Sequence, residues 1–300
     1  MSFTNKLLDP KNDTAFKRIF GTEKNKDILI HFLNDMLVFK NTSPIKDVTF
    51  LKPVLDPEIM YQKTSLVDVL CKDEDGNSYI VEMQVAKTKG FEKRAQFYAS
   101  KAYGNQAQVG DEYKNLKEVV FIAIVDYVMF PDKVALKSDH IILDKETFEH
   151  DLTDFSFTFL ELGKFKKQRE DIDSLANLTE KWCYFFKYAD EVTPAELERL
   201  IGGDKVIERA YKELNSFYWT EDELLGYEAE LKRVRDNKAV LAQQLDDANA
   251  KGLAEGTAKG LAEGKRQIVL RMIDKNLDDE TIIQCSGLTR EELAELKASY

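Results

Sequence analysis

Residues 119–125 read VVFIAIV, seven apolar side chains in succession. A strand with one wet face alternates apolar and polar residues, so an unbroken run this rich in branched side chains belongs to a strand covered on both faces. Such a strand lies inside a sheet with helices above and below, and the rest of the chain must supply them. In NDTAFKRIFGTEKNKDILIHFLNDML, Phe16, Ile19 and Phe20, then Ile28, Phe32, Leu33 and Met36, recur at three and four. That spacing predicts two helices, the first capped by Asn12 or Asp13, separated at Gly21 and Asn25. From Ser65 the rhythm changes to SLVDVLC, KDEDGN, SYIVEMQV, which reads strand, turn, strand with Asp75-Gly76 as the turn signal. A helix over 91–108 and two late strands, HIILD and FTFLEL, complete a mixed α/β domain expected over residues 1–165.

The remainder reads as helix. A helical extension over 166–219 directs Trp182, Phe185 and Phe186 back onto the core. Residues 220–250 fit heptads, with Leu224, Leu231, Lys238 and Leu245 at a and Tyr227, Val234, Leu241 and Ala248 at d. Either a short coiled coil or one amphipathic helix packed on its own domain satisfies that pattern. Residues 251–265, KGLAEGTAKGLAEGK, place Gly252, Gly256, Gly260 and Gly264 in step, with Glu255, Lys259 and Glu263 at ion-pairing spacing on another stripe. Each glycine costs a helix about 1 kcal/mol relative to alanine, so the repeat implies either close approach of a partner helix or a hinge. Residues 266–300 form a small helical module, Thr289 capping its last helix in the box T-R-E-E. A helix-turn-helix DNA reader fits this module less well than an interaction module, because its acidic residues outnumber its basic ones.

The net charge of −11 excludes a polybasic protein that binds nucleic acid over its whole surface. Its distribution matters more. Residues 1–110 sum to +2, 111–220 to −8 and 221–300 to −5, which leaves room for a local basic site in the first segment. The amino terminus lacks a signal-like apolar run and no stretch is long enough to cross a bilayer, so a cytoplasmic protein with no membrane partner is expected. Cys71, Cys183 and Cys285 are too scattered for a disulfide framework or zinc knuckle and read as small buried hydrophobes. His31, His140 and His150 show no metal-ligand spacing and read as structural or exposed.

The hairpin departs from core building. Asp68 lies between apolar neighbours on one strand, while Glu82 and Gln84 share a face of the other. A loop over 73–77 pairs Lys72 with Ser78 and sets Asp68 directly opposite Glu82; a two-residue turn would set them diagonally. Like charges across a sheet repel, and a divalent ion offsets that repulsion. Two carboxylates form the hard-oxygen set suited to Mg²⁺ or Mn²⁺, an ion that serves phosphodiester hydrolysis. The plain alternative is a pair of solvated carboxylates on an edge hairpin. Next along the chain, Lys87, Lys89, Lys93, Arg94 and Lys101 face a single acid, Glu92. On a helix Arg94, Tyr98 and Lys101 share one face, a cationic and aromatic surface suited to phosphate and base.

The order DPKNDTAFKRIFG, LVDVLCKDEDGNSYIVEMQ, RAQFYASKAYGNQ, FTFLELGKF, glycine repeat and GLTREELAEL resembles the recombination-promoting nuclease and putative transposase family. That family is a branch of the PD-(D/E)XK nuclease superfamily. The resemblance implies a restriction-endonuclease-like mixed sheet flanked by helices, Mg²⁺-dependent cleavage of DNA, and an all-α carboxyl-terminal region. It places Asp68 at the first aspartate, Glu82 at the second acid, and Asp13 at an amino-terminal accessory acid. Arg94, Tyr98 and Lys101 fall in the helix after the hairpin, with Lys87 as a further substrate contact. Val67 stands where the superfamily often has proline, and Gln84 where it usually has lysine. A glutamine orients water by hydrogen bonding but brings no positive charge, which leaves Lys63, Lys87 or Lys101 as candidate sources of the cation.

Two functions remain open on sequence alone. One is a metal-dependent DNA endonuclease with Asp68, Glu82 and Gln84 as catalytic residues, Asp68 and Glu82 holding the metal, and a homo-oligomer built through the carboxyl-terminal helices. The other is a weakly active or inactive nuclease-fold protein that works as an assembly or regulatory module through its tail.

Overall fold

A computed structural model of the chain describes residues 6–37, 43–53, 67–107 and 112–299. These residues form two compact units, 1–231 and 232–300. The first opens with α1 (Asp13–Phe20) and α2 (Lys26–Met36). Asn12 caps α1 by accepting from the backbone N–H groups of Thr14 and Ala15, and Gly21 ends it. Strands β1 (Val48–Phe50), β2 (Val69–Asp73) and β3 (Ser78–Gln84) follow, then α3 (Phe91–Gly104), β4 (Val119–Val125), β5 (Lys137–Ile141) and β6 (Phe155–Glu161). The six strands make one sheet in the order β1-β2-β3-β4-β6-β5. β3, β4 and β6 run parallel at its centre, while β1, β2 and β5 are antiparallel to their neighbours.

All seven residues of β4 are buried, as the unbroken apolar run requires. Val120, Ile122 and Ile124 face a core shared with α1, α2, α4 (Leu178–Tyr188), α5 (Pro194–Ile201) and α6 (Lys205–Glu213). Val119, Phe121, Ala123 and Val125 face α3 through Phe91, Ala95, Ala99 and Ala102. The small alanines let α3 approach the sheet closely. On the first face Trp182, Phe185 and Phe186 are fully buried, and Phe20, Phe32 and Trp182 pack with ring centroids 5.3 to 5.8 Å apart.

Several expectations need correction. α3 ends at Gly104, short of 108. The strand expected at HIILD is β5, three residues earlier, and Ile142 and Leu143 are exposed instead. Edge strand β1 has only three residues, too few to carry a periodic signal. Ser65, where the hairpin was expected to begin, lies outside the described residues; β2 begins at Val69. Cys71 and Cys183 are buried, burial pushing the Cys71 thiol up to about 12, but Cys285 is exposed. Its helix, α8 (Asp279–Ser286), buries Ile282 instead.

The tail is one continuous helix, α7 (Glu221–Asp274), followed by α8 and α9 (Arg290–Ala298). At its start Leu224, Tyr227 and Leu231 pack against the first unit's core, so these heptad positions are filled by the chain's own domain. Leu241 and Leu245 are exposed. The glycine repeat is helical throughout, and no residue among those described approaches the four glycines. In the second unit Val269, Ile282 and Leu293 form a small core, and Thr289 makes the expected capping box with Glu292. Among the described residues no helix is long and apolar enough to cross a membrane.

Candidate functional site

The hairpin loop sets the site. Gly76 adopts a positive φ of 89°, and Asp73 ties the turn by accepting from the backbone N–H groups of Asp75 and Asn77. The ladder pairs Lys72 with Ser78 and Val69 with Val81, the register expected for a loop over 73–77. One step further, Asp68 faces Glu82. The Met83 backbone N–H donates to Asp68 Oδ2 at 2.9 Å, which fixes the Asp68 carboxyl close enough to Glu82 for the two charges to act on each other.

Glu82 is only 6% exposed and its Oε1 atom is buried with no hydrogen-bond partner. Burial, and then the charge of Asp68, hold the Glu82 carboxyl well above its usual range; Arg94 and Lys17 oppose the shift. Asp68 is raised too, by burial first and by Asp13, while the Met83 N–H and Lys17 pull it down. Two carboxyls so placed keep a proton between them unless a cation takes its place.

An orphaned carboxylate oxygen beside a second carboxylate is a donor set for a hard divalent cation. Among the described residues no group of three or more His, Cys, Asp or Glu side chains is arranged to enclose a metal. If Asp68 and Glu82 took up a cation, two carboxylates alone would suit an ion that keeps most of its waters, the habit of Mg²⁺.

Positive charge flanks the pair on two sides. Lys17, on α1, lies 2.7 Å from Asp13 Oδ1 and 3.8 Å from Asp68 Oδ1. Arg94, on α3, donates to Gln84 Oε1 and stacks its guanidinium 4.7 Å over Phe91 and 5.9 Å over Tyr98. Gln84 Nε2 in turn donates to the Ala86 carbonyl at 2.6 Å. One amide N–H and one oxygen lone pair of Gln84 remain for another partner. Tyr98 is half-buried, and its hydroxyl is raised by burial against the pull of Arg94 and within reach of the charges on Glu82 and Asp68.

The structure therefore brings together Asp13, Asp68, Glu82, Gln84, Arg94 and Tyr98. Two other expected residues stand apart. Lys87 donates to the Val128 carbonyl at 3.2 Å, and Lys101 places its ammonium 4.9 Å over Phe97 on the outer part of α3. Lys63 lies outside the described residues. The residue that sequence reasoning missed is Lys17. Its signal was the Asp13–Lys17 spacing of four within NDTAFKRIF, read there only as helix periodicity.

A mixed sheet with a parallel centre, an antiparallel hairpin at one side, one carboxylate just before the first hairpin strand and another on the second defines the class: a restriction-endonuclease-like α/β protein. The family model for PD-(D/E)XK nuclease family transposases matches residues 10–244, and the chain belongs to that family. Searches of curated proteins and of solved structures gave no match.

Proposed function

We propose that the protein is a divalent-metal-dependent endonuclease that hydrolyses phosphodiester bonds in DNA. The observation that carries this reading is the Asp68–Glu82 pair, with Asp68 half-buried beside a buried Glu82 whose Oε1 is unpartnered. Membership of the nuclease family supplies the substrate class.

Asp68 and Glu82 would hold Mg²⁺ or Mn²⁺, an ion that would supply Lewis-acid activation of the phosphodiester and of water near neutral pH. The Met83 N–H fixes the Asp68 carboxylate, so one oxygen is oriented before any ligand arrives. Lys17, held by Asp13, supplies the cation that the superfamily places at the position of Gln84; its charge faces the phosphate that the pair would engage. Asp13 acts through Lys17 and holds it in place. Gln84 uses its free N–H and lone pair to orient the attacking water, and Arg94 fixes the Gln84 amide while presenting charge to the DNA backbone. Tyr98 gives a stacking surface beside Arg94. Lys101 and Lys87, farther out, contact flanking phosphates.

The test is nicking of supercoiled plasmid by purified full-length protein in Mg²⁺. Wild-type protein is expected to nick and Asp68→Ala to be inactive with an unchanged circular dichroism spectrum. Equal nicking by both proteins would refute the assignment, since a contaminating nuclease would then account for the cleavage.

A further inference from the structure

The middle of α7 presents three parallel rows of residues at spacing four. Gly252, Gly256, Gly260 and Gly264 form the central row, and a Cβ added at any of them meets nothing within 4 Å. On one side runs Leu253, Thr257, Leu261 and Lys265; Leu253 is 74% and Leu261 66% exposed. On the other runs Lys251, Glu255, Lys259 and Glu263, alternating in sign. A glycine furrow with an apolar ridge on one bank and a charged ridge on the other is a face built for another helix, and α7 holds it helical without one.

We propose that this face docks the same face of a second copy of the chain, in antiparallel orientation, with Thr257 at the two-fold axis. Charge complementarity identifies the occupant and its direction. When two identical helices run antiparallel, the two-fold axis lies across them, and each bank of one furrow meets the same bank of the other. Centred on Thr257, Lys251 meets Glu263 of the partner subunit and Glu255 meets Lys259 of the partner subunit, with both contacts repeated by symmetry. The same register sets Leu253 against Leu261 of the partner subunit. In a parallel pair the two-fold axis runs along the helices, and the Leu ridge of one copy would abut the Lys/Glu ridge of the other. That arrangement buries charge against leucine and gives the alternating row no partner across the interface beyond its own i,i+4 neighbours.

The small residues set the approach. Rows at spacing four are inclined to the helix axis, so two such rows align when the helices cross at about 50°. Glycine at the crossing lets the backbones come close, and the contact is confined to the turns that hold the repeat. This docking does not rest on the nuclease reading, since every residue it uses lies in 251–265.

The experiment uses full-length protein. Light scattering is expected to give twice the chain mass of 34.5 kDa. Lys251→Glu with Lys259→Glu makes the row wholly acidic, and Glu255→Lys with Glu263→Lys makes it wholly basic. Each double variant is expected to run as a monomer with unchanged helix content, and an equimolar mixture of the two to recover the dimer mass. For direction, Leu253→Cys and Leu261→Cys proteins, both carrying Cys285→Ser because Cys285 is exposed, are mixed and oxidised. The mixed disulfide is expected to exceed either self-disulfide by at least tenfold. A monomeric wild-type chain, charge variants that stay dimeric unmixed, or Leu253→Cys joining itself as readily as Leu261→Cys would each overturn the proposal.

Discussion

Lys17 Nζ stands 3.8 Å from Asp68 Oδ1, at the end of a helix that reaches the hairpin from elsewhere in the chain. The same ammonium is anchored to Asp13 one turn earlier, so α1 brings one cation to the carboxylate pair and α3 brings a second, Arg94. Lys17→Met is expected to lower plasmid nicking about 100-fold, the scale of losing one charged stabiliser of a transition state. Lys17→Arg retains charge at the site and is expected to keep most of the activity. An unchanged initial rate in Lys17→Met would show that the cation comes from elsewhere.

The pH dependence of stability follows from Glu82. Its carboxyl is held above the ordinary glutamate value in the folded chain, so the folded state binds the proton more tightly than the unfolded state does. The associated stability is complete below about pH 4.5 and is lost as pH rises through the raised folded value. Within that window, in the absence of divalent ions, wild-type protein is expected to lose about 1.4 kcal/mol per pH unit from this group. Glu82→Gln has no proton to lose there. Urea melts of both proteins from pH 4 to pH 8 should therefore diverge as pH rises, and parallel curves would contradict an upward-shifted Glu82 carboxyl.

DNA binding is expected to be weak and salt-sensitive, because residues 1–110, which include α3, sum to only +2 while residues 111–300 carry a net negative charge. Lys101→Ala should lower the slope of log affinity against log salt by about one unit, the share of one phosphate contact. Fluorescence anisotropy with a labelled duplex across a salt series reads this directly. A slope unchanged in Lys101→Ala would remove that lysine from the interface.

The start of α7 belongs energetically to the first unit. The Tyr227 hydroxyl accepts from the Asp9 N–H at 3.0 Å, the Tyr227 carbonyl accepts from Asn12 Nδ2 at 3.3 Å, and its ring packs edge-on to Trp219. Tyr227→Ala is expected to cost about 3 kcal/mol, as large-to-small core changes do. Tyr227→Phe, which removes only the hydroxyl, should cost about 1 kcal/mol. Denaturant unfolding followed by tryptophan fluorescence measures both, and a loss below about 1 kcal/mol in Tyr227→Ala would detach this segment from the core.

These relationships were unequally visible in the chain. β4 announced itself because a doubly covered strand has no polar residue to interrupt it, and the hairpin because Asp75-Gly76 and the positive φ of Gly76 fix its turn. From that turn counting left Asp68 either directly opposite or diagonal to Glu82, and the observed pairing of Lys72 with Ser78 selects the direct register. β1 and the true limits of β5 did not, since a three-residue edge strand and one with a solvated face are defined by neighbours remote in sequence. Lys17 was hidden for the same reason: a tertiary contact brings it to Asp68, which lies 51 positions later. The glycine repeat suggested two opposite structures. The structure shows it helical, with open space around all four glycines.

Calorimetric titration of Mg²⁺ and Mn²⁺ into metal-free full-length protein tests the central claim most directly. Saturable binding by wild-type protein, accompanied by proton release and abolished in Glu82→Ala, is the predicted result. No binding by wild-type protein, or equal binding by Glu82→Ala, would contradict it.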